Sequence, residues 1–223
     1  MGIRTGFILP GGSASEQLEQ AQLAEAHGWD AVFVWEAAYG VDAWSLLAAM
    51  AARTTRVTLG TMLTPLPWRR PWKVASQVAT VDELSGGRAV LAIGLGAIMT
   101  DLPLTGEELD RRTRASMMDE GLDLMRTLWR GDQHYSGEHY TYSCDRPDLV
   151  EALDAPRREI PVWVVGAWPR PKSMWRALRC EGLIPQYDGD DWGPRPDEGD
   201  PCVGRPARRP ATRRDQRGLD ARR

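Results

Sequence analysis

The chain has 223 residues, enough for one domain with a substantial core, and its 42% hydrophobic and 26% charged content is ordinary for a folded domain. A formal net charge of −3 gives no global electrostatic case for nucleic acid, and no apolar run reaches the roughly 18 residues of a membrane span. Three cysteines, odd in number and widely spaced (Cys144, Cys180, Cys202), argue against a disulfide frame or a zinc site and point to a reducing cytoplasm.

Ile3–Leu9 is a short apolar run, predicted as the first strand and too short for the apolar core of a signal peptide. Ser13 and Glu16 fit a capping box opening a helix to His27, with Gly28 where a glycine ends helices. Ala31–Trp35 is a second continuous apolar run. Asp42 is predicted to cap a helix carrying Trp44, Leu47 and Met50 and ending near Arg53. Val57–Leu63 gives a third strand. Pro71 suits the first turn of the next helix, where Val74, Val78, Val81 and Leu84 recur at helical spacing. Ala89–Ile93 is a fourth strand. Strands that are apolar throughout are buried on both faces, as in a parallel sheet covered by helices. The predicted class is therefore α/β.

A longer insertion follows Gly96. Met118, Leu122, Met125 and Trp129 mark a helix ending at Gly131, and residues 134–142 are predicted as a small hairpin. The strand–helix rhythm then returns. Pro161–Val165 is a strand, Gly166–Pro171 a loop, Ser173–Arg179 a helix and Gly182–Pro185 a sixth strand. Residues 194–223 hold nine Arg, five Pro and five acidic residues, with Val203 and Leu219 as the only large aliphatics. Such a composition cannot bury a face, so residues 188–223 are expected to be a disordered Arg/Pro-rich tail.

In parallel α/β folds, ligands bind at the carboxyl ends of the strands. Gly94 and Gly96 lie just after the fourth strand, Thr61 is in the third, and Gly166 ends the fifth. Two readings stand: glycines that let a ligand approach the backbone, or glycines that merely terminate strands. The spacing is not GxGxxG, because the glycine after Gly96 is Gly106. Trp35 and Glu36 end the second strand. Glu36 is the candidate catalytic carboxylate, orienting substrate or moving a proton if burial raises its pKa. The other reading is a solvated glutamate beside a packing tryptophan. Trp35, Tyr39 and Trp68 are candidate walls of an apolar substrate pocket, or cover for the core. His27 sits at a helix end and His134 and His139 in the hairpin; without an HxH or HExxH motif no metal site is expected.

Residues 61–96, "TMLTPLPWRRPWKVASQVATVDELSGGRAVLAIGLG", resemble the central signature of the luciferase-like monooxygenase family of flavin- or deazaflavin-dependent oxidoreductases. "VFVWEAAYGVDAW" (32–44) and "PVWVVGAWPRPKSMWRALRCEGLIP" (161–185) resemble its second-strand and fifth-to-sixth-strand segments, in the same order. The resemblance implies a (β/α)₈ TIM-type barrel with an insertion after strand four, here residues 97–160. Such a barrel usually takes about 250 residues. Residues 1–187 are therefore expected to be a partial, cofactor-binding barrel of about six βα units, its last two lost by truncation or frameshift.

The resemblance further implies FMN or a deazaflavin coenzyme. Thr61, Met62 and Leu63 would line one side of the ring, on a bulged or strained strand. Gly94, Leu95 and Gly96 would border it, and Gly166, Ala167 and Trp168 with the helix near Ser173 would meet the phosphate. With reduced FMN the enzyme would insert one oxygen atom from O₂ into a small organic substrate; with a deazaflavin it would move a hydride. A flavin or deazaflavin reductase and a second copy of the chain are the implied partners. The alternative is an inactive barrel remnant that folds poorly or needs a partner. A metal- or phosphate-dependent barrel lyase is disfavoured by the lack of clustered His, Asp and Glu at strand ends.

Overall fold

The computed structural model describes residues 2–97, 106–146, 156 and 158–187. The chain divides into a unit of residues 1–188 and a second of residues 189–223. The second, and with it the expected tail, lies outside the described residues, as does part of the 97–160 insertion.

The first three strand–helix units and the strand that follows them are β1 (Gly6–Ile8), α1 (Ala14–Ala26), β2 (Ala31–Val34), α2 (Ala43–Arg53), β3 (Thr58–Thr61), the two-residue β4 (Thr64–Pro65), a 3₁₀ turn (Leu66–Trp68), α3 (Pro71–Ser85) and β5 (Ala89–Gly94). Beyond them come α4 (Arg111–Trp129), the hairpin β6 (His134–Ser136) and β7 (Thr141–Ser143), β8 (Val162–Trp168), α5 (Pro171–Ala177) and β9 (Gly182–Tyr187).

Local chemistry sets the boundaries. Ser13 and Glu16 form the full capping box of α1. Asp42 accepts the Ser45 N–H at 2.7 Å and opens α2. After α3 the chain turns through Gly86 (φ 70°) and Gly87 (φ 88°), left-handed conformations that favour glycine. Arg88 then bolts the turn down: its guanidinium donates to the carbonyls of Ser85, Val57, Ala51 and Thr54.

Strand order in the main sheet is β1-β2-β3-β5-β8-β9, every pair parallel, with β4 on β5. The order follows the sequence and never reverses. A doubly wound sheet reverses; a barrel wall does not. Right-handed crossovers then put all helices on one face. There Val32, Leu59, Leu91 and Val164 pack with Leu47, Met50, Val78, Met118 and Met125 in one core. On the other face the rings of Phe33 (β2) and Trp163 (β8) meet at 5.5 Å between centroids. Three strand spacings separate those positions, roughly 14 Å on a flat sheet. The sheet therefore curls, and the fold is the α/β half-barrel that the resemblance implied, with six strands in the parallel path.

Several predicted boundaries need correction. The first strand is only three residues, and Ile3 is 95% exposed, as befits an edge. Leu84 extends the α3 stripe in sequence but is exposed, while Val74, Val78 and Val81 are buried. Gly166-Ala167-Trp168 are not loop but the end of β8, because pairing with β9 continues to Trp168↔Tyr187. The helix after it starts at Pro171, two residues before the predicted Ser173.

Candidate active site

The carboxyl ends of β2, β3 and β5 meet around a one-residue bulge. Leu59 pairs with Ala89 and Thr64 with Ile93, so five steps on one strand face four on the other. The extra residue falls at Met62–Leu63, whose peptide bond is cis.

A hydrogen-bonded chain closes the bulge. Thr61 and Thr64 are fully buried, their hydroxyl oxygens 2.8 Å apart. Thr64 Oγ1 donates to Glu36 Oε2 at 2.6 Å, so the Thr61 hydroxyl proton serves Thr64. Glu36 Oε1 pairs with Arg69 Nη1, and Arg69 Nη2 donates to Gln77 Oε1 at 2.8 Å from α3. Glu36 is thus neither solvated nor free. Its side chain is 4% exposed and both oxygens are engaged. Burial holds the Arg69 guanidinium below its ordinary pKa range, yet it remains the cation that balances Glu36.

Next to the bulge, a Cβ built on Gly94 would lie 2.8 Å from Leu63 Cδ2 and 3.2 Å from Val165 Cγ2. The glycine, itself buried, therefore lets the half-buried Leu63 of the bulge and Val165 of β8 close-pack over β5 as an apolar floor. Gly96 (φ 78°) is covered by the Trp68 ring, which a Cβ there would overlap. Trp68 is 7% exposed, with its indole N–H on the Glu108 carbonyl at 2.7 Å; it is a packing residue here, not an exposed wall. Arg114 of α4 lies 5.2 Å over that ring and donates to the carbonyls of Leu95 and Gly96 at 2.8 and 3.0 Å. The loop after β5 is pinned to α4 by this clamp.

The other expected residues are placed as follows. Trp35 is 60% exposed and Tyr39 93%, both in the segment after β2. Trp168 is 59% exposed at the end of β8. Gly166 faces the other way, against Leu183, Met174 and Ala177. The Ala167 N–H donates to Ser173 Oγ at 2.9 Å, and Ser173 Oγ donates to the Val165 carbonyl at 3.2 Å.

These residues fit a flat ring better than its phosphate. The Leu63–Gly94–Val165 floor offers apolar contact beside a buried polar chain. At the phosphate end, Pro169 and Pro171 carry no N–H, the Arg170 N–H donates to Ala167, and Ser173 is already engaged. A separate groove of ≈ 1040 Å³ lies between α3, α4 and the hairpin, lined by Trp72, Asp82, Trp129 and Arg158. It reaches Gly86 and Gly87 at the amino end of β5, opposite the rim. Glu120, Glu138 and His139 place ligand atoms within 4.8 Å of one another, but the Glu120 carboxylate already accepts the N–H groups of Glu138, His139 and Tyr140.

Sequence reasoning missed Thr64, Arg69, Gln77 and Arg114. A signal for Arg69 was present: Arg69-Arg70-Pro71 puts cations at a helix N-terminus, where the dipole disfavours them. Such a cation calls for an anion supplied from elsewhere.

The half-barrel wall and the bulged rim define the class. Residues 4–190 match the luciferase-like monooxygenase family, and the chain belongs to it. Over 165 residues it is 33% identical to the F420-dependent glucose-6-phosphate dehydrogenase of Nakamurella multipartita, covering 70% of this chain and 47% of that one. Over 130 residues it is 36% identical to the 4-hydroxyprotoasukamycin monooxygenase of Streptomyces nodosus subsp. asukaensis, covering 56% of this chain and 34% of that one. An F420-dependent secondary alcohol dehydrogenase, solved with an F420-acetone adduct, superposes with a TM-score of 0.71 at 28% identity, covering 83% of this chain and 58% of that one. The chain spans about half the length of the curated relatives it matches. Those relatives are oxidoreductases, F420-dependent dehydrogenases and a monooxygenase among them.

Proposed function

We propose that the chain belongs to a luciferase-like oxidoreductase that binds a deazaflavin of the F420 type and acts on a small organic substrate. The observation that carries this reading is the rim itself: a one-residue bulge at Met62–Leu63 laid against Gly94 beside the buried Glu36. The F420 dependence of the 33%-identical relative favours the deazaflavin over FMN.

Thr61, Met62 and Leu63 would back the ring, with Gly94, Leu95 and Gly96 along its border. Gly166, Ala167 and Trp168 would lie on the phosphate side, where Arg170 and Lys172 add positive charge. Such a cofactor supplies hydride transfer when bound. The protein's share is placement: Leu63 and Val165 exclude water from one face, while Trp35 and Tyr39 wall the substrate space. Glu36, the candidate catalytic carboxylate, has both oxygens committed within the protein, so its part is orientation rather than proton transfer.

A cytoplasmic location, a reductase that regenerates the cofactor and a dimer of two copies belong to the same proposal. Among the described residues no helix is long and apolar enough to cross a membrane.

The test is cofactor turnover in the presence and absence of oxygen. Oxidised F420 should lose absorbance with a sugar phosphate or secondary alcohol, without oxygen uptake. Oxygen uptake with reduced FMN and no F420 turnover would assign a monooxygenase instead. A second reading, a barrel remnant without catalysis, is favoured by one observation: β1 and β9 each pair on one side only among the described residues.

A further inference from the structure

We infer that Arg69 is a positioning residue of the rim, acting through Glu36 and Thr64 to hold the Met62–Leu63 bulge against Gly94. Arg69 lies between the 3₁₀ turn and α3, and α3 has no acidic residue in its first turn. Its guanidinium is partly buried, with 23% side-chain exposure, and finds its anion across the fold on β2's extension. Gln77, two turns into α3, holds the second guanidinium nitrogen and sets its orientation.

From Arg69 the chain of contacts runs through Glu36 and Thr64 to Thr61, whose hydroxyl oxygen is 3.4 Å from the Ala92 carbonyl. It thus links α3, the segment after β2 and both sides of the bulge. Leu63 lies between Thr61 and Thr64, and its methyls are the side-chain atoms that a Cβ on Gly94 would meet first. Removing Arg69 leaves Glu36 as a buried charge with no counterion, a situation that costs more than losing the pair as a whole. Glu36 must then take a proton or move toward water, and either response changes what Thr64 donates to. The bulge then loses the contact that fixes Thr64.

The inference rests on the cofactor reading for its binding readout only; its structural readout is independent. The experiment compares the wild type with Arg69→Met, Glu36→Gln and the double variant. Methyl NMR follows Leu63 and Val165, and fluorescence titrations use F420 and FMN as probes. Arg69→Met should shift the Leu63 and Val165 methyl signals and weaken cofactor binding roughly ten-fold, while the double variant recovers to within about three-fold. It recovers because an amide oxygen still accepts from Thr64 and no charge stays buried. Gln77→Leu, which leaves the ion pair intact, should shift the same signals less, and it replaces Arg69→Met if that variant does not fold. Unmoved methyl signals in Arg69→Met, or in Gln77→Leu where it stands in, would overturn the inference; so would a double variant as perturbed as Arg69→Met. If the wild type binds neither probe, the cofactor reading fails and the methyl signals alone decide the role of Arg69.

Discussion

Single residues at the rim and at its opposite end carry separate burdens. Gly96 combines φ 78° with a Trp68 ring over its missing side chain. Gly96→Ala should cost about 2–4 kcal/mol in urea unfolding, from left-handed strain plus overpacking. At the amino end, burial would raise the pKa of Glu25, but the N–H groups of Val57, Arg56 and Thr55 outweigh it and hold it low. A lowered folded-state pKa means stability that is present above about pH 4.5 and lost as pH falls toward the folded value. Glu25→Gln should therefore flatten the acid side of the stability curve, read by denaturant melts from pH 3 to pH 7. These residues differ in how far the sequence shows them. Glu36, Gly94 and Gly96 stand at or just past strand ends, where a strand-by-strand reading finds them. Glu25 accepts from N–H groups 30 or more positions away and Arg69 finds its anion 33 positions away, and no local spacing reveals that.

At the level of elements, periodicity and caps were enough for most boundaries. Ser13 and Asp42 are caps because Glu16 and Ser45 offer the matching groups. Asp42→Ala should cost about 1 kcal/mol in thermal or urea unfolding. The bulge was legible only through the family resemblance, since one extra residue does not disturb an apolar run. The extension of β8 was hidden because Gly166 and Pro169 carry turn chemistry, and pairing with β9 overrode it up to Trp168. The contact between α4 and α5 was not legible at all. Arg176, on α5, makes two bonds to Asp119 at 2.6 and 2.8 Å, Arg179 pairs with Asp123, and Arg126 lies 3.5 Å from Glu181. The ladder fastens the insertion helix to the last strand–helix unit. Arg176 is 6% exposed, so Arg176→Ala should speed hydrogen exchange across α5 and β9, with a stability loss of about 1–3 kcal/mol. Unchanged exchange there would show that the ladder fastens nothing.

The unit of residues 1–188 is a barrel wall with two open edges among the described residues. Around β9 and α5, Trp175 is 69% exposed, Leu178 76%, Leu183 47% and Tyr187 43%. An apolar edge of this kind associates unless something covers it. The 223-residue chain should bind an apolar dye and grow in light scattering with concentration, and Leu183→Lys on the edge strand should reduce both. The parallel path was legible from continuously apolar strands, and its curl from nothing shorter than the family signature. Pairing of β5 with β8 on one side and with the bulged segment on the other brings Leu63, Gly94 and Val165 together at the carboxyl rim, and the proposed function rests on that floor. Fluorescence titration of the wild type and Gly94→Val with F420 tests it most directly, with circular dichroism as a check on folding. Saturable quenching in the wild type, lost in a folded Gly94→Val, is the predicted result. No saturable binding in the wild type, or equal binding in the variant, would contradict it.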